Sequence, residues 1–338
     1  MHKSVKLAAI LGVILILPAQ ALAGGSERIG TAGALELVIP TDARGAAMGG
    51  SVVAASEGTD AWFWNPAGAA SLGATEISAS HREYIAGISL DNVSLARSVG
   101  SIGVIGLSLK ALSMGDEPVY TTQQPEGTGE YFSSSFVVLG LSYARTITDQ
   151  VDFGINGQYI AEKIFRETAY GVAFDMGFLY RPSYRGLSFG VVVKNYGPKM
   201  KFDGPDFDKE VDTGSDTEGD GHVGRTESAS FELPSYFQFG VAWDPLVQDK
   251  HRVTVSGAFQ SNNFSEDEFR MGSEWAISEQ VFLRGGYSGS SQRDYLYGFS
   301  GGAGLRLSLG GTLTMLDYTW SEAGAFENNH FFSLKLRF

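Results

Sequence analysis

From about residue 74 to its end the chain alternates apolar and polar positions. A period of two marks strands whose faces meet different surroundings. In residues 151–162, Val151, Phe153, Ile155, Tyr159 and Ala161 alternate with Asp152, Asn156, Gln158 and Glu162. Residues 169–180 repeat the pattern with Tyr170, Val172, Phe174, Met176, Phe178 and Tyr180 on one face. Ala169, Gly171, Ala173, Asp175 and Gly177 form the other, mostly small, face. Alternating segments are placed at 75–85, 88–98, 101–112, 132–146, 150–162, 168–181, 186–195, 234–243, 251–261, 268–277, 280–288, 294–308, 312–321 and 329–338. Short turns follow the even-numbered strands, and the longest connections, 113–131 and 196–233, follow the third and seventh. Turns sorted by length onto two rims are expected of an outer-membrane barrel, with short periplasmic turns and long outer loops. A soluble β-sandwich gives no reason for that sorting.

Composition supports strands and turns. The chain has 338 residues, 44 Gly, 12% aromatic and 19% charged residues. It has no Cys, which excludes disulfides and thiolate metal sites. The net charge of −13 disfavours a nucleic-acid partner, whose phosphates call for Lys and Arg. The first 23 residues read as a cleaved export signal: basic His2, Lys3 and Lys6, an apolar run from Leu7 to Leu17, then Ala21-Leu22-Ala23. That run is shorter than the ~20 residues a spanning helix needs. No later stretch reaches 18 continuous apolar residues.

Residues 42–68, DARGAAMGGSVVAASEGTDAWFWNPAG, fit neither period. They are rich in Gly and Ala, which let backbones approach closely. Their conspicuous charges are Arg44 and Asp60. The stretch reads as a compact segment buried inside something. Asp42-Ala43-Arg44, Met48-Gly49-Gly50, Asp60 and Trp64-Asn65-Pro66-Ala67-Gly68, in that order and spacing, resemble the N-terminal segment of the FadL-like outer-membrane barrels, closest to their PorV/PorQ branch. The resemblance implies an all-β, antiparallel, 14-stranded transmembrane barrel with residues 24–73 plugging the lumen and 74–338 forming the wall. It also implies that Arg44, Met48, Gly49, Gly50, Asp60, Trp62, Trp64, Asn65 and Pro66 lie on the plug or a ligand path. Members take up long-chain hydrophobic compounds or serve type IX secretion.

The last strand carries a second signal. Phe332, Leu334, Leu336 and Phe338 alternate with polar residues up to the end of the chain. That ending resembles the signal read by barrel-assembly machinery. Physically, it lets the last strand pair with the first and removes edges that hydrocarbon cannot solvate.

Chemical motifs are sparse. Gly186-Leu187-Ser188-Phe189-Gly190 matches the serine-hydrolase elbow, but it sits in an alternating run with no helix after it, so the chain is not read as an enzyme. His81, His222, His251 and His330 are scattered. In the acidic loop 196–233, Asp216, Glu218, Asp220 and Glu227 fall near calcium-loop spacing, with Gly221 at the turn. The bland alternative is a solvated outer loop. Tyr180, Tyr184, Trp243, Trp275, Tyr318 and Trp320 fall near strand ends, as interfacial aromatics do. Trp62, Phe63 and Trp64 form either a hydrophobic latch or plain plug core. Arg44 and Asp60, once buried, are expected to pair with each other or with lumen groups such as Asp175 or Arg306.

The reading is an outer-membrane barrel of a diderm bacterium, in contact with lipid, that passes hydrophobic compounds in the FadL manner. The alternative is a type IX secretion partner whose outer loops hold exported proteins. An outer-membrane enzyme is a third reading. No cofactor is expected, apart from Ca²⁺ in the acidic loop.

Overall fold

The computed structural model describes residues 30–184, 186–211, 222–292 and 295–338. The leader and calcium-loop residues Asp216, Glu218, Asp220 and Gly221 lie outside the described residues.

Alternation of β-branched, aromatic and small residues gives β1 (Thr75–Glu83), β2 (Ser89–Ser98), β3 (Val104–Pro118), β4 (Tyr131–Thr148), β5 (Val151–Ile164), β6 (Glu167–Tyr180) and β7 (Ser188–Tyr196). The long loop adds β8 (Phe202–Asp203), β9 (Asp208–Val211) and β10 (His222–Arg225). The wall resumes with β11 (Tyr236–Gln248), β12 (His251–Asn262), β13 (Glu268–Ile277), β14 (Val281–Ser290), β15 (Phe299–Leu309), β16 (Thr312–Ser321) and β17 (Asn329–Arg337). β1 to β7 and β11 to β17 pair antiparallel with their neighbours, and β1 pairs with β17, so fourteen strands close into a barrel. Thr75 and Phe338 exchange both backbone hydrogen bonds at 3.0 Å, completing the seam. On β17, Phe332 and Leu334 face outward, as the terminal alternation predicts, and Phe338 just beyond it is exposed.

The wall is inside out relative to a soluble protein. Leu107, Leu141, Phe174, Met176, Met271 and Leu316 are exposed on the outside. Lys110, Asp175, Lys194, Glu274, Asp317 and Lys335 are buried on the lumen face. Trp243 and Trp275 face outward near the short-turn rim. Among the described residues no helix is long and apolar enough to cross a membrane; the strands do so.

Three strands differ from the sequence reading in where they begin or end. β3 starts at Val104, because Gly100–Ile102 form a 3-10 turn and Gly103 has φ 126°. It then runs past a bulge at Ser113/Asp116 to Pro118, so the β3–β4 hairpin projects further than expected. β11 continues beyond Trp243 to Gln248. Pro245 cannot donate to the ladder, and the strand absorbs it in a bulge between Trp243 and Leu246. β15 begins at Phe299, residues 295–298 before it being irregular.

The acidic loop is also not simply solvated. Its two stems fold into the lumen. Met200 and Leu233 are buried with Ala34, Leu37, Ile160 and Ala173, and the rings of Phe202 and Phe231 pack 5.5 Å apart. The entry point is a break in the wall. β7 leaves β6 after Tyr196 pairs with Phe174, where Asn195 turns to φ 56°. β8 takes over that edge at Thr168 and Ala169.

Candidate functional site

Residues 30–73 fill the lumen, and the wall is shaped to receive them. Lumen-facing glycines stand where the plug touches many of the strands. Trp62 lies against Gly106, Pro66 against Gly154, Asn65 against Gly177, Val53 against Gly190 and Gly240, and Met48 against Gly272 and Gly286. A Cβ at any of them would overlap the plug. The small inner face of β6, noted in the sequence, belongs to this ring.

The plug is built from two short helices, α1 (Ala43–Ala47) and α2 (Ala61–Trp64), joined by 3-10 turns. Asp42 caps α1 by accepting the Gly45 N–H at 2.6 Å, and its second oxygen accepts the Trp64 indole N–H. Met48 is fully buried and ends α1. Gly49 and Gly50 follow in the left-handed region at φ 63° and 73°, a turn that side chains rarely adopt. The Asn65 carboxamide donates to Val53 O at 2.9 Å and Phe178 O at 3.1 Å, and its oxygen accepts the Ala67 N–H. Pro66 then starts the next 3-10 turn, where its missing N–H costs nothing.

Ionic contacts lock plug to wall. Arg44 reaches Glu274 with two nitrogens, at 2.9 and 3.2 Å, and donates to Ala55 O. Glu274 also accepts from Arg284 at 2.7 Å, which reaches Asp317 at 2.6 Å. Asp60 pairs with Lys335. Burial, then the nearby Asp42 carboxylate, push the Asp60 carboxyl up to about 8 against the pull of Lys335. The partners suggested by the sequence are engaged elsewhere: Asp175 accepts from Lys194 at 2.7 Å, and Arg306 donates to Glu279 at 3.1 Å. Lys194 also donates to Phe63 O at 2.6 Å. Lys110 and Lys194 stand 5.2 and 5.3 Å from the Phe63 ring.

The aromatic trio is core. Trp62 packs with Ala61, Ala96, Val104 and Ala144, and its indole donates to Leu95 O at 3.1 Å. Trp64 meets Phe63 edge-on at 4.8 Å. The sequence reading missed Asp42 as a tether, the lysines beside Phe63, and Glu274 and Lys335 as anchors. The signal lay in strand phase, since each wall charge falls on the lumen-facing set of its strand.

Above the plug, toward the long-loop rim, the lumen opens into a cavity of about 860 Å³. Leu35, Ile39, Leu112, Phe136, Phe231 and Leu296 give it apolar walls, and Glu36 and Glu162 supply carboxyls. Burial raises the Glu36 carboxyl above the ordinary range. At the base of the wall, Ser188 donates to Ala54 O at 2.9 Å from within β7, so the elbow-like motif is a strand contact to the plug. His81 pairs with Asp91, and His330 with Tyr318, on the outer face. Glu227 is held by Lys201 at 2.9 Å on the outer loop.

Comparison with known proteins agrees with this architecture. The "CymD monoaromatic hydrocarbon channel" superposes with a TM-score of 0.54 at 11% identity, covering 89% of this chain and 97% of that one. The Pseudomonas putida toluene transporter TodX gives 0.55 at 12%, covering 88% and 98%. A Pseudomonas aeruginosa FadL homologue gives 0.52 at 12%, covering 89% and 98%. At such identities the likeness is one of fold. No curated protein matches the sequence. The family model described as "Type IX secretion system protein PorV" matches residues 23–215, more than half of the chain. A match of that extent over plug and first wall strands settles the family: the chain is an outer-membrane β-barrel belonging to the PorV family.

Proposed function

We propose that the barrel takes a hydrophobic compound from the outer rim into its lumen and passes it onward by movement of the plug. The observation that carries this reading is the apolar cavity of about 860 Å³ above the plug. A volume of that size suits a ligand of some tens of heavy atoms. Apolar walls with a few polar groups bind by burial of surface and orient by hydrogen bonds. The likeness in fold to hydrocarbon channels supports the same reading. Passage requires the plug to yield, because residues 30–73 fill the lumen and the void around Arg44 and Glu274 is only about 20 Å³.

A second reading rests on the family match: the barrel serves type IX secretion by holding exported proteins at its outer loops. The β3–β4 hairpin favours it, since it projects Tyr120 and Tyr131 into solvent.

Mass spectrometry of material copurifying from native outer membrane in mild detergent separates the two. Apolar compounds retained by the intact protein, and lost on deletion of residues 30–73, support uptake. Secreted proteins sharing a C-terminal domain, with no apolar compound, overturn it in favour of the secretion role.

A further inference from the structure

Arg82 lies on the lumen face of β1 and is 2% exposed. Its Nε and Nη1 have no hydrogen-bond acceptor. The guanidinium is clasped by two rings, Tyr84 at 4.8 Å and Phe331 at 5.5 Å from its centre. Those rings satisfy its faces and leave its in-plane donors free. A buried charge without a counter-charge is among the costliest things a fold can hold. Arg44, Lys194, Arg284 and Lys335 each have a carboxylate, and Lys110 donates to the Glu36 and Ile39 carbonyls.

A cavity of about 60 Å³ adjoins Arg82. Water takes ~30 Å³ per molecule in the liquid, so the space suits a group of a few heavy atoms. Its walls include Arg270, the Gly49-Gly50 turn and Ser321. No wall group of that cavity reaches Nε or Nη1 of Arg82. The Glu322 carboxylate accepts the Phe299 N–H at 2.8 Å. Ser300 donates to Ala47 O, and Ser288 is hydrogen-bonded to Tyr295. Arg270 adds positive charge, partly met by Glu268 at 2.7 Å.

We propose that Arg82 holds a compact exogenous anion, carboxylate in chemistry, against the Gly49-Gly50 turn of the plug. A guanidinium N–H makes its strongest hydrogen bonds to ionised oxygen, so the free Nε or Nη1 of Arg82 suits one oxygen of a carboxylate. The anion touches both wall and plug, so its presence stiffens the joint between them. It is either a free small carboxylate or the acidic head of an amphiphile whose chain lies in the larger cavity. The two cavities share Val38, Arg270 and Tyr297 as walls. The second source rests on the uptake reading; the first does not.

The test uses the full mature barrel, refolded into detergent so that copurifying compounds are removed. Melting is followed in sodium acetate and in sodium gluconate at matched ionic strength, gluconate being too large for the cavity. Acetate is expected to raise Tm saturably by about 3 °C over gluconate. Arg82→Gln removes that increment. Arg82→Lys, which keeps the charge without the planar fork, reduces it and serves if the Gln variant does not fold. Equal melting in both salts, or an undiminished increment in the variants, overturns the proposal. Natively extracted protein then tells the source. An acidic amphiphile retained by the wild type and lost from Arg82→Lys assigns the anion to a lumen ligand. Acetate protection without such a compound assigns it to a free anion, and leaves the site standing even if uptake fails.

Discussion

Asp42 and Trp64 join the two halves of the plug through one carboxylate: one oxygen accepts the Gly45 N–H, the other the Trp64 indole N–H. The aspartate is thus a helix cap and a tether between segments 22 residues apart. Asp42→Ala removes both bonds and leaves a buried indole N–H unmet. The expected loss is about 2–4 kcal/mol, combining a cap with an unsatisfied donor. Asp42→Asn keeps one acceptor oxygen but turns an amide NH2 toward the other donor, so it is expected to lose at least half as much. Melting in detergent, followed by tryptophan fluorescence, ranks the variants. A loss from Asp42→Asn close to zero would show that one of the two bonds carries none of the plug's stability.

Arg44 is the main ionic hook of α1. Breaking a buried pair on one side costs about 3–5 kcal/mol, because the remaining charge stays buried. Glu274 keeps Arg284 when Arg44 is lost, so Arg44→Gln should fall at the lower end. Glu274→Gln leaves Arg44 without a carboxylate and removes one of the two that Arg284 holds, Asp317 remaining at 2.6 Å, so it should cost at least as much. Single-channel recording in planar bilayers adds a second readout: a loosened plug is expected to give both variants transient openings that the wild type lacks. Silent bilayers for both variants would place the seal in packing and not in this pair.

Asp60 gives the plug a pH dependence. Its carboxyl moves up from 3.8 to about 8 on folding, chiefly through burial. Within that window the folded plug binds a proton that the unfolded chain does not. Stability therefore falls as pH rises from about 4 to about 8, and is flat on either side as far as this group is concerned. Asp60→Asn is expected to flatten the slope while preserving a hydrogen-bond acceptor for Lys335. Thermal melts at intervals of one pH unit test this. A wild-type curve rising with pH would show that Asp60 stays ionised throughout and that its pairing with Lys335 dominates.

Much of this architecture was legible because the barrel obeys a simple rule. Residues 169–180 alternate large and small around Asp175, and the strand has no choice of which face meets lipid. The same rule placed Phe332 and Leu334 on the outer face of the closing strand. Pairings across the lumen were not legible. Arg44 and Glu274 are 230 residues apart, and phase says only that Glu274 points inward. Asp175 and Arg306 were equally eligible by that criterion, and nearer neighbours claimed them. The stems of the acidic loop were misjudged for another reason. Net acidity describes the tip, whereas Met200, Phe202, Phe231 and Leu233 decide where the stems go.

The wall glycines make the sharpest packing prediction. Gly177 faces the lumen on β6, where an added methyl would run into the Asn65 carboxamide and approach Pro66. Asn65 cannot retreat, since it bonds both Val53 and Phe178. Gly177→Ala is therefore expected to cost about 1–3 kcal/mol, the usual range for overpacking. It should also expose the plug to limited proteolysis. Gly157 lies on the neighbouring strand but on the outer face, where a methyl meets Phe174 at an ordinary 3.7 Å. Gly157→Ala should leave both melting and proteolysis unchanged. Sequence alone does not distinguish these two glycines by type; strand phase does. If both substitutions shift Tm alike, the lumen glycines serve strand twist or curvature, and the plug is not held by close backbone approach at that point.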